Sequence, residues 1–148
     1  MGVAVNAAGT RLYIANQDGT ITTFTLDPSG NVVPPGVPAF GAPQAAFVAV
    51  NRAGTRLYVA NQSPVGSVSV FVLDPVTGNI TGQQPGSPFA TGSFSTDVAV
   101  NRAGTRLYVT NLDGTIKVFL LDANGDVTVQ QPGSPFATGA GAFGIAVR

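Results

Sequence analysis

The segment VAVNRAGTRLYVAN from Val48 to Asn61 returns as VAVNRAGTRLYVTN from Val98 to Asn111, and a third version, VAVNAAGTRLYIAN, occupies Val3 to Asn16. This repetition constrains the fold more than any other feature. Its anchoring asparagines, Asn6, Asn51 and Asn101, lie 45 and then 50 residues apart, a period at which one supersecondary unit must stack on its neighbours to bury a core. A second block, QQPGSPFATG, is identical at Gln83 to Gly92 and Gln130 to Gly139. The extra residues of the second unit fall at Gln62 to Gly66 and Pro75 to Asn79, in turns, where insertions are tolerated.

Each unit reads as four short strands. Val48 to Val50 is the first, closed by a turn in which Asn51, Ala53 and Gly54 supply Asx and left-handed chemistry. Leu57 to Asn61 is the second, and Asp18-Gly19 and Asp113-Gly114 mark a tight hairpin after its counterparts. The third is rich in β-branched and aromatic residues (Ile21 to Leu26, Val68 to Leu73, Ile116 to Leu121), and a turn beginning with Asp leads to a weaker fourth such as Val127 to Val129. No segment carries a helical period. Four antiparallel strands per unit define a β-propeller blade. A blade covered on both faces needs inner strands that are apolar throughout, as Leu57, Tyr58, Val59 and Ala60 are. The expected fold is therefore all-β, a propeller segment of three blades over residues 1–148. The units run approximately over 2–46, 47–96 and 97–142, with an extra innermost-type strand at 143–148, where FGIAVR repeats the opening GVAVN.

Composition narrows the chemistry. Charged residues make up 9% of the chain, the seven basic and seven acidic groups cancel, and Glu, His, Cys and Trp are absent. The chain thus has no disulfide, thiolate, imidazole or Cys/His zinc site, and no cofactor or metal is expected. A neutral balance gives no electrostatic footprint for nucleic acid or an anionic membrane. No run of about 18 apolar residues and no basic-then-apolar leader is present, so the chain reads as soluble, its compartment left open.

The Tyr108-Val109-Thr110-Asn111 tetrad, with YVAN at Tyr58 to Asn61 and YIAN at Tyr13 to Asn16, resembles the YVTN repeat. Together with VAVN, the VSVFVLDPVTG turn and GSPFATG, it is similar to the lactonase-like family of bacterial β-propellers across essentially the whole chain. The resemblance implies a seven-bladed full-length fold, often exported. Its enzymatic members open lactone rings with His, Glu and Arg residues in the central channel. With neither His nor Glu here, no such catalytic residue carries over.

Three blades do not close a ring, because propellers use four to eight. Two apolar blade faces are then left open. A homodimer of six blades is favoured over a trimer of nine as the means of covering them. Repeated Arg11, Arg56 and Arg106 read as structural. Tyr13, Tyr58 and Tyr108 are candidate sugar-stacking residues, although mid-strand tyrosines favour buried packing with one bonded hydroxyl. Asp122, Asn124 and Asp126 have the alternation of a calcium loop, but Gly125 is misplaced and the closing Glu is missing, so they read as a turn. Asp97, Lys117 and Arg148 break the repeat symmetry, and Asp97, just ahead of an innermost strand, is a candidate for the channel mouth. Near-identity of the second and third units reads as recent amplification or engineering. The expectation is a non-enzymatic, self-assembling scaffold or interaction module. A lectin-like glycan-binding propeller is the alternative. A lactonase-type hydrolase comes third, since it would need an Asp and Arg pair such as Asp97 with Arg102.

Overall fold

The computed structural model describes residues 2–147, apart from the side chains of residues 38–40. Arg148, one of the three symmetry breakers, lies outside the described residues. Fourteen strands and no helix form three antiparallel sheets among these residues. The first contains β1 (Val3–Val5), β2 (Arg11–Ala15), β3 (Thr20–Leu26) and β4 (Val32–Gly41), paired in that order. The second pairs β5 (Ala45–Val50), β6 (Arg56–Asn61), β7 (Ser67–Leu73) and β8 (Ile80–Gln83), with β9 (Phe89–Ala90) also on β7. The third repeats this with β10 (Ser95–Val100), β11 (Arg106–Asn111), β12 (Thr115–Leu121), β13 (Val127–Gln130) and β14 (Phe136–Ala137). Strands β1, β5 and β10 pack side by side and form the inner edges of the three blades.

The pleat explains why both faces of the middle blade are apolar. Leu57, Val59, Phe71 and Leu73 pack against Tyr13, Ala15 and Ile21 of the first blade. Tyr58, Ala60, Val68 and Val70 point the other way, onto Val98, Leu107, Val109, Phe119 and Leu121 of the third. Alternate residues leave opposite faces of a strand, so both sets have to be apolar. Each fully buried Val, Leu or Phe contributes roughly 1.5–3 kcal/mol.

The Pro-rich block is more than a link. Its first part continues the outer strand, the chain turns at Pro85 and Gly86, and β9 rejoins β7. The interrupted ladder is repaired by a side chain: the Val70 N–H donates to the Ser87 hydroxyl at 2.8 Å, and the Val118 N–H to the Ser134 hydroxyl at 2.9 Å.

Residues 143–147, expected as an innermost-type strand, are not in a strand. They run beside β10, where the Ile145 N–H donates to Asp97 and the Thr96 hydroxyl donates to the Ala142 carbonyl. The physical reason is pairing: among the described residues no second strand lies on the far side of this tail, and a lone strand leaves its ladder groups without partners.

Candidate functional site at the channel mouth

The N-terminal ends of β5 and β10 meet the β2–β3 and β6–β7 turns at one end of the inner edge. There they enclose a cavity of about 590 Å³ lined by Gln17, Gln44, Ala45, Ala46, Gln62, Pro64 and Phe94. The backbone stitches its walls together. The Gln62 N–H donates to the Gln44 carbonyl at 2.9 Å within the middle blade, and the Phe94 N–H crosses from the third blade to the Ser63 carbonyl at 2.9 Å.

Gln44 and Phe94 hold left-handed backbone angles, φ 54° and 53°, and they are the two non-glycine residues with positive φ among the described residues. They occupy one position of the repeat, and at the third copy of that position Gly141 has φ 75°. A bulky residue in this conformation is disfavoured by roughly 1 kcal/mol or more, and such strain concentrates at ligand sites.

Chemically, the cavity is neutral. Gln17, Gln44 and Gln62 are exposed, and each carboxamide offers both donors and an acceptor. That lining suits a polyhydroxylated ligand carrying a carbonyl, but it provides no proton acceptor. Asp97 is the one ionisable residue on β1, β5 and β10, three residues beyond Phe94 on the strand leading from the mouth. Its carboxylate accepts the Val98 N–H at 2.8 Å and the Ile145 N–H at 3.0 Å. Arg102 lines a different depression, between the turns at the opposite ends of the blades, so Asp97 and Arg102 are not brought together. The ion pair among the described residues is Arg56 with Asp126.

The tyrosines lie elsewhere. Tyr13 and Tyr58 are fully buried between blades, their hydroxyls donating to the Gly78 and Gly125 carbonyls at 2.6 and 2.7 Å, and they present no ring face to a sugar. Burial pushes the Tyr13 phenol up to about 12, with Arg11 opposing the shift, and raises Tyr58 as well. Tyr108 is half-buried. The three repeated arginines serve the backbone or an inter-blade pair: Arg11 Nε donates to the Thr77 carbonyl, and Arg56 bridges both oxygens of Asp126 at 2.7 Å, which raises the guanidinium pKa. Asp122 caps its turn by accepting the Asn124 and Asp126 N–H groups, and no cluster of three metal-ligating acids forms among the described residues. Sequence reasoning passed over the mouth glutamines. A signal was present, since Gln17, Gln62 and Leu112 share the variable position after each repeat's asparagine.

Comparison with known proteins gives a consistent picture. The sequence model of the family described as "Lactonase, 7-bladed beta-propeller" matches residues 7–141. No curated protein sequence matches the chain. Among solved structures, a putative 6-phosphogluconolactonase from Bacteroides fragilis superposes with a TM-score of 0.74 at 24% identity, covering 92% of this chain and 38% of that one. The periplasmic gluconolactonase PpgL of Pseudomonas aeruginosa superposes with a TM-score of 0.71 at 18% identity, covering 95% and 40%. A protein from Lactobacillus plantarum gives 0.76 at 19% identity, covering 95% and 42%. The chain therefore spans about two fifths of the length of the structures it resembles. These matches overturn the expectation of a non-enzymatic scaffold. That expectation rested on the near-identity of the second and third units and on the missing His and Glu, but a propeller channel is lined by every blade of its ring, so the composition of three blades does not decide its chemistry.

Proposed function

Because the chain belongs to the seven-bladed β-propeller lactonase family, we propose that its three blades form an arc of a lactonase-type hydrolase whose substrate is a polyhydroxylated sugar lactone. The observation that carries this is the match over residues 7–141 together with the carboxamide-lined cavity at the inner mouth of that same segment. The similar structures titled 6-phosphogluconolactonase and gluconolactonase supply the substrate class.

In this reading Gln17, Gln44 and Gln62 bind the substrate hydroxyls and donate to the ring carbonyl, whose oxygen gains negative charge as water adds. Asp97 accepts the proton of that water. The ring C–O bond then breaks, the ring oxygen takes up a proton, and the product is the open hydroxy acid. Two backbone N–H donors, from Val98 and Ile145, hold the Asp97 carboxylate in position.

The test is proton release from glucono-lactone, followed at constant pH above the spontaneous rate. Asp97→Asn preserves an acceptor for the Val98 N–H and lowers turnover by about 10²–10⁴-fold, the range for loss of a positioned base. Turnover equal to that of the unsubstituted chain would remove Asp97, and no turnover above background by the unsubstituted chain would remove the activity. Ring completion belongs to the same reading: three blades leave the channel open on one side, and further blades complete it.

A further inference from the structure

Phe94 is a large apolar side chain that the blade interiors do not use. It is 37% exposed, lines the cavity at the mouth, and belongs to neither hydrophobic cluster between the blades. The same repeat position carries Gln44 in the middle blade and Gly141 beyond the third, all three with left-handed backbone angles. Glycine holds such an angle without steric cost, so the backbone alone favours the residue found at Gly141 over one bearing a phenyl ring.

The surroundings hold Phe94 in this conformation from every side. Its N–H donates to the Ser63 carbonyl at 2.9 Å, and its carbonyl accepts the Leu112 N–H at 3.1 Å. On one flank the Ser93 N–H donates to Asp113 at 2.9 Å. On the other, the Ser95 hydroxyl lies 2.6 Å from that of Thr91 and donates to Asn111 at 3.2 Å. The pairing of β10 with β11 then shifts register between Ser95 and Asp97, a bulge of the kind that re-aims a neighbouring side chain. Ser63 belongs to the Gln62–Gly66 turn, where the second unit carries extra residues, and its hydroxyl braces that turn by donating to the Val65 carbonyl at 2.6 Å. The insertion in the middle blade thus fixes the backbone of Phe94 in the next one. Strain held this firmly is characteristic of ligand sites.

The cavity is divided in its chemistry. Gln17, Gln44 and Gln62 present carboxamides, while Phe94 and Pro64 present apolar surface. A saturated ring with hydroxyls around its edge is divided in the same way. Its hydroxyls hydrogen-bond, and the C–H groups of its face are apolar and slightly positive, a match for the negative face of an aromatic ring. The open-chain form has the same hydroxyls but no rigid face. We infer that Phe94 is a stacking platform for the C–H face of a closed polyhydroxylated ring, and that it makes the mouth select the ring over its open-chain form. The inference rests on the reading of this mouth as the substrate site, and adds that Phe94 discriminates the closed lactone from its opened product.

Calorimetric titration with gluconolactam tests this, because the lactam keeps the ring and hydroxyls but resists hydrolysis; glucitol is the neutral open-chain comparison. The protein is expected to bind the lactam at least about 10-fold more tightly than glucitol, and Phe94→Leu, which keeps apolar bulk without an aromatic face, to lose about 10-fold in lactam affinity. An unchanged urea midpoint establishes that the leucine variant is folded. Phe94→Trp gives an independent reading: the chain has no other Trp, so its emission is expected to shift on adding lactam and not on adding glucitol. Absence of lactam binding, equal affinity for lactam and glucitol, a leucine variant that binds lactam as the parent does, or an indole indifferent to lactam would each overturn the proposal. Binding and turnover separate the two claims. Lactam binding that needs the aromatic ring, without lactone turnover, removes the hydrolase reading alone; turnover with lactam binding indifferent to Phe94→Leu removes the platform alone.

Discussion

Asn61 and Asn111 occupy the same position of the repeat, opposite Ala45 and Ser95 respectively. The Asn111 side-chain oxygen accepts the Ser95 hydroxyl at 3.2 Å, whereas that of Asn61 is buried with no partner. A buried acceptor without a donor costs about 1–3 kcal/mol. Ala45→Ser supplies in the middle blade the hydroxyl that the third blade already has, and is expected to raise unfolding free energy by about 0.5–1.5 kcal/mol, measured by urea titration. A neutral or lower midpoint would mean that the hydroxyl fails to reach. The asparagine is legible in the sequence as a fixed repeat position, but its unmet bond is not, because the missing donor lies some sixteen residues away and meets it only through strand register.

The outer strand poses the corresponding problem one level up. Where the outer strand breaks at its prolines an N–H of the third strand is left without a ladder acceptor, and the repeat compensates with a serine hydroxyl placed against it. Ser134→Ala leaves the Val118 N–H buried without an acceptor and is expected to cost about 1–3 kcal/mol in chemical denaturation, while Ser134→Thr, which retains the hydroxyl, recovers part of the loss. Equal stability of the alanine and parent chains would contradict this account. The four-strand pattern was readable from turn residues and β-branched runs. The division of the last strand into β8 and β9, or β13 and β14, was not, since the short second pieces are defined by what they pair with. For the same reason residues 143–147, which look like the opening strand in sequence, form no strand, there being no second strand beside them among the described residues.

Cohesion of the whole molecule depends on the junctions between blades, where Tyr13 and Tyr58 each bury a phenol that donates to the next blade. A tyrosine in the unfolded chain ionises near 10, but burial moves Tyr13 to about 12, so the folded chain keeps its proton where the unfolded chain has lost it. The unfolded state then binds fewer protons, and stability must fall as pH rises from about 10 through about 12. Urea midpoints at pH 8, 10 and 11 are expected to be level and then drop, with Tyr13→Phe less stable at pH 8 but showing a shallower alkaline decline. A Tyr13→Phe chain whose stability declines as steeply as the parent's above pH 10 would refute this.

Sequence alone determined that these residues form an all-β chain of three stacked blades, because period, turn chemistry and two-sided apolar strands are local properties written within each unit. It also pointed to the family through the YVTN-type tetrads. Only the tertiary structure decided which residues meet between units: that two of three repeated tyrosines are internal keys, that Asp97 is held by the backbone of the tail, and that three unremarkable glutamines converge on one mouth. Such contacts depend on how neighbouring blades superpose in space, and residues 18 to 67 positions apart carry no local signal of meeting.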